Sequence, residues 1–101
     1  MTPALGDLTK ATFEPFLHQR FAIRVGAERT DELELVELAA LSHGLPEGRE
    51  PFSLVFCGPS ERWFRQGTYS LEHPELGSQP MFLVPIGPNA DGRMRYQAIF
   101  S

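Results

Sequence analysis

The sequence predicts a mainly all-β fold, a small six-stranded antiparallel barrel or two-layer sandwich preceded by one short helical segment. Three observations carry that expectation. The runs Leu54-Val55-Phe56-Cys57 and Leu83-Val84-Pro85-Ile86 are each cut by a Gly-Pro pair, Gly58-Pro59 and Gly87-Pro88, and short apolar runs ended this way are strands stopped by turns. Residues 21–25, 68–73 and 94–100 alternate from one residue to the next, the period of a half-buried strand. Only residues 8–18 carry helical spacing.

Composition sets the bounds. A chain of 101 residues makes one domain, 1–101, with a modest core, and eight Phe with two Tyr and one Trp supply the bulk to fill it without disulfides. A net charge of −4 argues against general attraction to nucleic acid or acidic membrane surfaces. The start, 1–7, reads as a flexible lead without the basic end and apolar stretch of a signal peptide, and no window reaches a membrane span, so a cytoplasmic protein is expected. The single cysteine, Cys57, excludes an internal disulfide and any zinc site built on two or more cysteines.

Taken in order, residues 8–18 open with a threonine fit to cap a helix, and Leu8, Phe13, Phe16 and Leu17 fall near one face. Pro15 limits that segment, because proline is tolerated only in a first turn, so it reads either as two short helical turns or as one short helix whose first turn contains Pro15. Strand 21–25 and strand 32–41 form a hairpin across the turn at 26–30. Within 32–41 the apolar phase slips between Leu35 and Val36, where a bulge keeps both halves facing inward; a strand buried on both faces is the alternative. The polar stretch 42–50 is the longest connection and the expected mobile one. Strand 52–57 follows, then the irregular connection 58–66, and strands 68–73, 81–86 and 94–100 read as an antiparallel meander. Pro85 cannot donate to a ladder, which puts its strand at an edge or at a bulge.

The expected core face is Phe52, Leu54 and Phe56, then Tyr69 and Leu71, then Phe82, Val84 and Ile86, then Tyr96, Ala98 and Phe100. The opposite face carries Val55, Cys57, Met81, Leu83 and Ile99, a second apolar patch that needs cover, either from the helical segment or from a partner protein. Leu-Val recurs ahead of both Gly-Pro pairs, but the residues between do not repeat, so ordinary strand-and-turn chemistry explains the echo.

Chemistry-bearing residues are sparse. His18, His43 and His73 share no metal-ligand spacing. Glu72, His73 and Glu75 are the one acid–base candidate, although Glu72 and His73 point to opposite faces of a strand. Cys57 beside a glycine in a β-rich chain packs as a small apolar residue more readily than it acts as a nucleophile. No Gly-rich strand-to-helix turn is present to cradle a phosphate. The expectation is therefore no catalytic, cofactor or metal site. The connection Arg62-Trp63-Phe64-Arg65 is the best local docking candidate, since Trp and Arg are enriched at interface hot spots; the bland alternative is that Trp63 and Phe64 plug a barrel end with both arginines solvated. With Val55, Leu83 and Ile99 these four make the candidate interaction set.

As a set, Pro51-Phe52-Ser53-Leu54-Val55-Phe56, Gly58-Pro59, Gln66-Gly67-Thr68-Tyr69, His73-Pro74-Glu75-Leu76-Gly77 and Phe82-Leu83-Val84-Pro85-Ile86-Gly87-Pro88 resemble a family of small bacterial proteins catalogued as a domain of unknown function. The resemblance covers nearly the whole chain. Some members are encoded near phage-tail-collar-like proteins of the microcystin-dependent type, so the resemblance implies an accessory role near a tail-fibre-like assembly. Two departures stand out: Cys57 where such sequences read Phe-Arg-Gly-Pro, and His18-Gln19-Arg20 where a Leu-Gly turn is typical. The resemblance supplies no catalytic residue.

The functional expectation is a non-enzymatic accessory or assembly protein that works through protein contacts, its partner a tail-collar-like protein encoded nearby or a further copy of itself. A barrel that holds a small apolar ligand is the alternative, and an enzyme built on Glu72, His73 and Glu75 ranks last.

Overall fold

Two long strands that each bend halfway close the sheet into a barrel. The computed structural model describes residues 8–26, 29–41 and 51–100. In it, α1 (Lys10–Phe13) and a 3-10 turn (Glu14–Phe16) lead into β1 (Arg20–Val25), β2 (Arg29–Ala40), β3 (Phe52–Cys57), β4 (Gly67–His73), β5 (Gly77–Pro88) and β6 (Met94–Phe100). The strands close in the order β1-β2-β3-β6-β5-β4, with every neighbouring pair antiparallel. Between barrel and sandwich the answer is a closed barrel. The expected flexible start, the polar connection 42–50 with His43, and part of the first turn lie outside the described residues.

β2 pairs with β1 as far as Glu34 and with β3 from Glu34 onward, and its register shifts between Leu35 and Glu37. β5 pairs with β4 as far as Leu83 and with β6 from Val84, and its register shifts between Pro85 and Gly87. A bulge bends a strand and sharpens its twist. Here each bulge sits beside the point where the strand changes partner, and the two bends are the corners that let six strands close. The slipped period at Leu35 and the ladder proline at Pro85 are the marks of these corners in the sequence.

The interior is filled by side chains. Phe21, Ile23, Leu33, Leu35, Leu54, Phe56, Leu71, Leu83, Met94 and Tyr96 are almost wholly buried, each large apolar one contributing on the order of 1.5–3 kcal/mol relative to exposure. At one end Phe52 and Phe100 stack with centroids 4.8 Å apart, and Phe13 of α1 packs on both at 6.0 and 5.7 Å. Thr9 caps α1: its hydroxyl accepts from the Thr12 N–H at 3.3 Å, and its own N–H donates to the Thr12 hydroxyl at 3.0 Å. Pro15 falls in the first turn of the 3-10 segment, where its missing N–H costs nothing, and of the two readings of 8–18 the structure has two short helical turns.

Two expectations are corrected here. On β5 the inward residues are Gln79, Met81 and Leu83, while Phe82 and Ile86 face solvent. The β4–β5 hairpin decides this: His73 pairs with Gly77, so Leu71 meets Gln79 and Tyr69 meets Met81, and residues directly opposite share a face. The helical segment, for its part, seals a barrel end through Leu8, Phe13 and Phe16, which join the core cluster; it is not the cover for the outer apolar patch.

Candidate functional site on the outer barrel face

The residues singled out from the sequence separate into three places. The first is the connection between β3 and β4. Phe64 is buried, 5.6 Å from the Tyr96 ring and 6.2 Å from that of Tyr69, and its N–H donates to the Tyr96 hydroxyl at 2.9 Å. Arg62 grips Asp31 through two hydrogen bonds, 2.6 and 3.2 Å, a planar fork on a carboxylate that also raises the guanidinium pKa. The Arg65 carbonyl accepts the Tyr69 hydroxyl at 2.6 Å. Trp63, between these anchors, is 67% exposed. Of the expected plug, then, Phe64 alone enters the barrel, and Arg62 is paired where a solvated arginine was the alternative.

The second place is the outer surface over β3, β6 and β5. All six residues of β3 are buried, the outward-facing Ser53, Val55 and Cys57 included. Their register partners are Ala39 and Ile99, Glu37 and Gln97, and Glu34 and Arg95. Ile99 is 60% exposed, and Phe82 on β5 is 51% exposed. Val84 pairs with Gln97, so Val84 and, two residues back along β5, Phe82 lie on the same outer face as Gln97 and Ile99. Leu83 belongs inside the barrel and drops out of the outward set; Phe82 takes its position. Arg95 has its Nε buried without an acceptor. The β4–β5 hairpin length is the signal that could have placed Phe82 outward, whereas nothing in the sequence singled out Glu37 or Arg95.

The third place holds the acid–base candidates, which do not converge. Buried His73 lies between the rings of Phe16 and Phe21, at 4.5 and 5.0 Å. Its Nδ1 accepts the Glu75 N–H at 3.1 Å, which leaves Nε2 to carry the proton and donate to Gln19 Oε1 at 2.8 Å. Both ring nitrogens are occupied. Glu72 faces outward, 3.5 Å from Arg24. A shallow surface groove of about 430 Å³ lies beside these residues, lined by Ala22, Glu72, His73, Pro74, Gly77 and Ser78.

A second open groove, about 420 Å³, has Leu33, Cys57, Gly58 and Pro59 on its lining together with Asp31, Glu34 and Arg93. Arg93 on this lining holds Glu34 at 2.9 Å and the nearby Asp91 at 2.8 Å. Burial pushes the Cys57 thiol pKa up, so the sulfur stays protonated and is a poor nucleophile. Among the described residues no group of three or more metal-binding side chains comes together, and no helix is long and apolar enough to cross a membrane.

The geometry presents contact surfaces, and comparison with known proteins agrees with the sequence on kinship. The model of a family described as Domain of unknown function (DUF6916) matches residues 8–100. The chain belongs to that family. The matched region takes in every strand of the barrel and the α1 cap. No curated protein and no solved structure matches it.

Proposed function

We propose that this member of the DUF6916 family is a non-enzymatic accessory or assembly module that acts through protein–protein contact in the cytoplasm, its partner a tail-collar-like component of a phage-tail-like assembly. One observation carries the reading: Phe82 and Ile99, two large apolar side chains at 51% and 60% exposure, both face outward on neighbouring strands of a barrel whose other large side chains are mostly inside. Exposed apolar clusters on small soluble domains mark contact sites. Trp63 adds a second contact residue, and its anchors at Arg62, Phe64 and Arg65 reduce the ordering cost of docking it.

A small-ligand barrel has less support. The described interior is packed with side chains, and both grooves open on the surface.

The test is light scattering on the purified domain mixed with a tail-collar-like protein of the microcystin-dependent type. A mixed complex that is lost in the double variant Phe82→Ser, Ile99→Ser, with Tyr96 and the core untouched, is the expected result. Absence of a complex with the wild type would count against that partner, and a complex indifferent to the double variant would count against this face.

A further inference from the structure

We propose that the free edge of β2 at Thr30 and Glu32 takes an extended, lysine- or arginine-bearing segment of another protein as an added strand. The site lies where β3 leaves β2. It is separate from Phe82 on β5 and Ile99 on β6 and does not rest on the reading of that outward pair.

The edge follows from the way β2 changes partner. Successive residues of an antiparallel ladder turn their N–H and C=O alternately to one neighbouring strand and to the other. The Leu35 N–H donates to the Gln19 carbonyl at 3.0 Å, so Leu33 and Asp31 turn toward β1, while Glu34, Glu32 and Thr30 turn the other way. On β3 the Gly58 N–H donates to the Met94 carbonyl of β6 at 2.9 Å, which turns Cys57 toward β2, where it pairs with Glu34. The two phases agree. Beyond that pair β3 ends: residue 59, which an unbroken β3 would set against Glu32, is a proline without an N–H. Among the described residues no backbone hydrogen bond reaches Thr30 or Glu32 from this side.

β5 makes the same change of partner, and its stretch 77–83 pairs with β4 alone. There Pro80 stands in the ladder opposite Ser70. A ladder proline turns its missing N–H away from the paired strand, and an edge that lacks this donor is blunted. Residues 29–33 of β2 hold no proline. Of these two half-edges, that of β2 is the one able to take a further strand.

Room and charge define the occupant. The open groove of about 420 Å³ lies here, with residues 30–34 on one wall and residues 57–59 and Glu61 on the other, and Thr30 and Glu32 are exposed. The five residues 29–33 offer about 16 Å of edge. The lining carries the carboxylates of Asp31, Glu32, Glu34 and Glu61 against the guanidinium groups of Arg20 and Arg93; even with Asp31 held by Arg62, acid is in excess. A second copy presenting the same edge would add to that excess, whereas a segment with a cation at every second residue relieves it. Residues opposite one another share a face, so the cations stand beside Thr30 and Glu32, and their own N–H groups are the ones that bond to this edge. Main-chain bonds then supply affinity and the alternate side chains supply selectivity.

The probe is the peptide acetyl-Lys-Val-Lys-Val-Lys-amide, titrated into the full chain with amide NMR and hydrogen exchange as readouts. In the free protein the Thr30 and Glu32 amides are expected to exchange about tenfold or more faster than those of Asp31 and Leu33. The peptide is expected to shift the Thr30 and Glu32 amides and to slow their exchange. The same peptide N-methylated on the backbone of its lysines, and one with glutamate in place of lysine, are expected not to bind. Glu32→Lys sets like charges opposite one another and is expected to weaken binding by about fivefold. Thr30→Pro, which takes a donor from the free edge and leaves the ladder to β1, is expected to abolish it, with circular dichroism to verify the fold. Thr30 and Glu32 amides as slow as their neighbours in the free protein, no shift with the lysine peptide, or binding indifferent to N-methylation, to the peptide's charge or to Glu32→Lys would each overturn the proposal.

Discussion

The Tyr96 hydroxyl accepts the backbone N–H of Phe64 at 2.9 Å inside the barrel. That bond ties the irregular connection after β3 to the middle of β6, and Arg62 on Asp31 ties the same connection to β2. Trp63 is held out between the two attachments.

Tyr96→Phe should therefore do more than trim an oxygen. The Phe64 N–H is left buried without an acceptor, at a cost of about 1–3 kcal/mol, and urea unfolding should show a lower midpoint with an unchanged slope. Trp63 is the only tryptophan, so its fluorescence anisotropy reads the connection directly and should fall in the variant. A stable variant with unaltered anisotropy would show that the bond is not what holds Trp63.

His18 is the only described residue other than glycine with a left-handed backbone, φ 70. Its N–H still reaches the Leu35 carbonyl at 2.6 Å, a backbone bond that any residue keeps. Glycine adopts this conformation without the penalty that a Cβ imposes. His18→Gly is expected to stabilise the domain by about 1 kcal/mol, offset slightly by loss of the exposed 3.6 Å contact with Glu34; thermal unfolding measures the difference, and a lower melting temperature would contradict it.

Alkali should weaken the fold through Cys57. Burial raises the thiol pKa in the folded state, so as pH climbs past the ordinary thiol value the unfolded chain loses its proton first. The folded state then binds more protons, and stability falls with rising pH. The contribution is complete below the unfolded pKa and is lost as pH rises through the folded one. Tyr96, also raised by burial, extends the decline to higher pH. Cys57→Ala should remove the earlier part of the decline and leave the later part, as measured by urea unfolding over an alkaline pH series. The same burial predicts that a thiol reagent labels Cys57 in the native protein only at the rate of opening.

Local signals made much of this fold legible. The slipped period at Leu35 and the proline at position 85 gave both bulges, the alternation of β6 gave its buried face, and the hairpin and meander followed from turn residues. β5 misled because both of its faces are apolar: Met81 and Leu83 compete with Phe82, Val84 and Ile86, and choosing the larger residues chose the wrong face. The hairpin from His73 to Gly77 fixes that choice, through backbone register and not through hydrophobicity. Barrel closure was hidden for a different reason. It depends on β3 meeting β6 and β1 meeting β4, pairings between residues far apart in sequence. The split between buried Phe64 and exposed Trp63 likewise depends on Tyr96, thirty-odd positions away.

The most direct measurement of the central claim uses the three isoleucines as reporters. Ile23 is wholly inside the barrel, Ile86 sits in the β5 bulge, and Ile99 stands on the outer face. Methyl NMR spectra recorded over a protein concentration series, then with the proposed tail-collar-like protein added, should show the Ile99 methyl shifting while Ile23 stays fixed. An Ile99 methyl that stays fixed under both conditions would contradict the account.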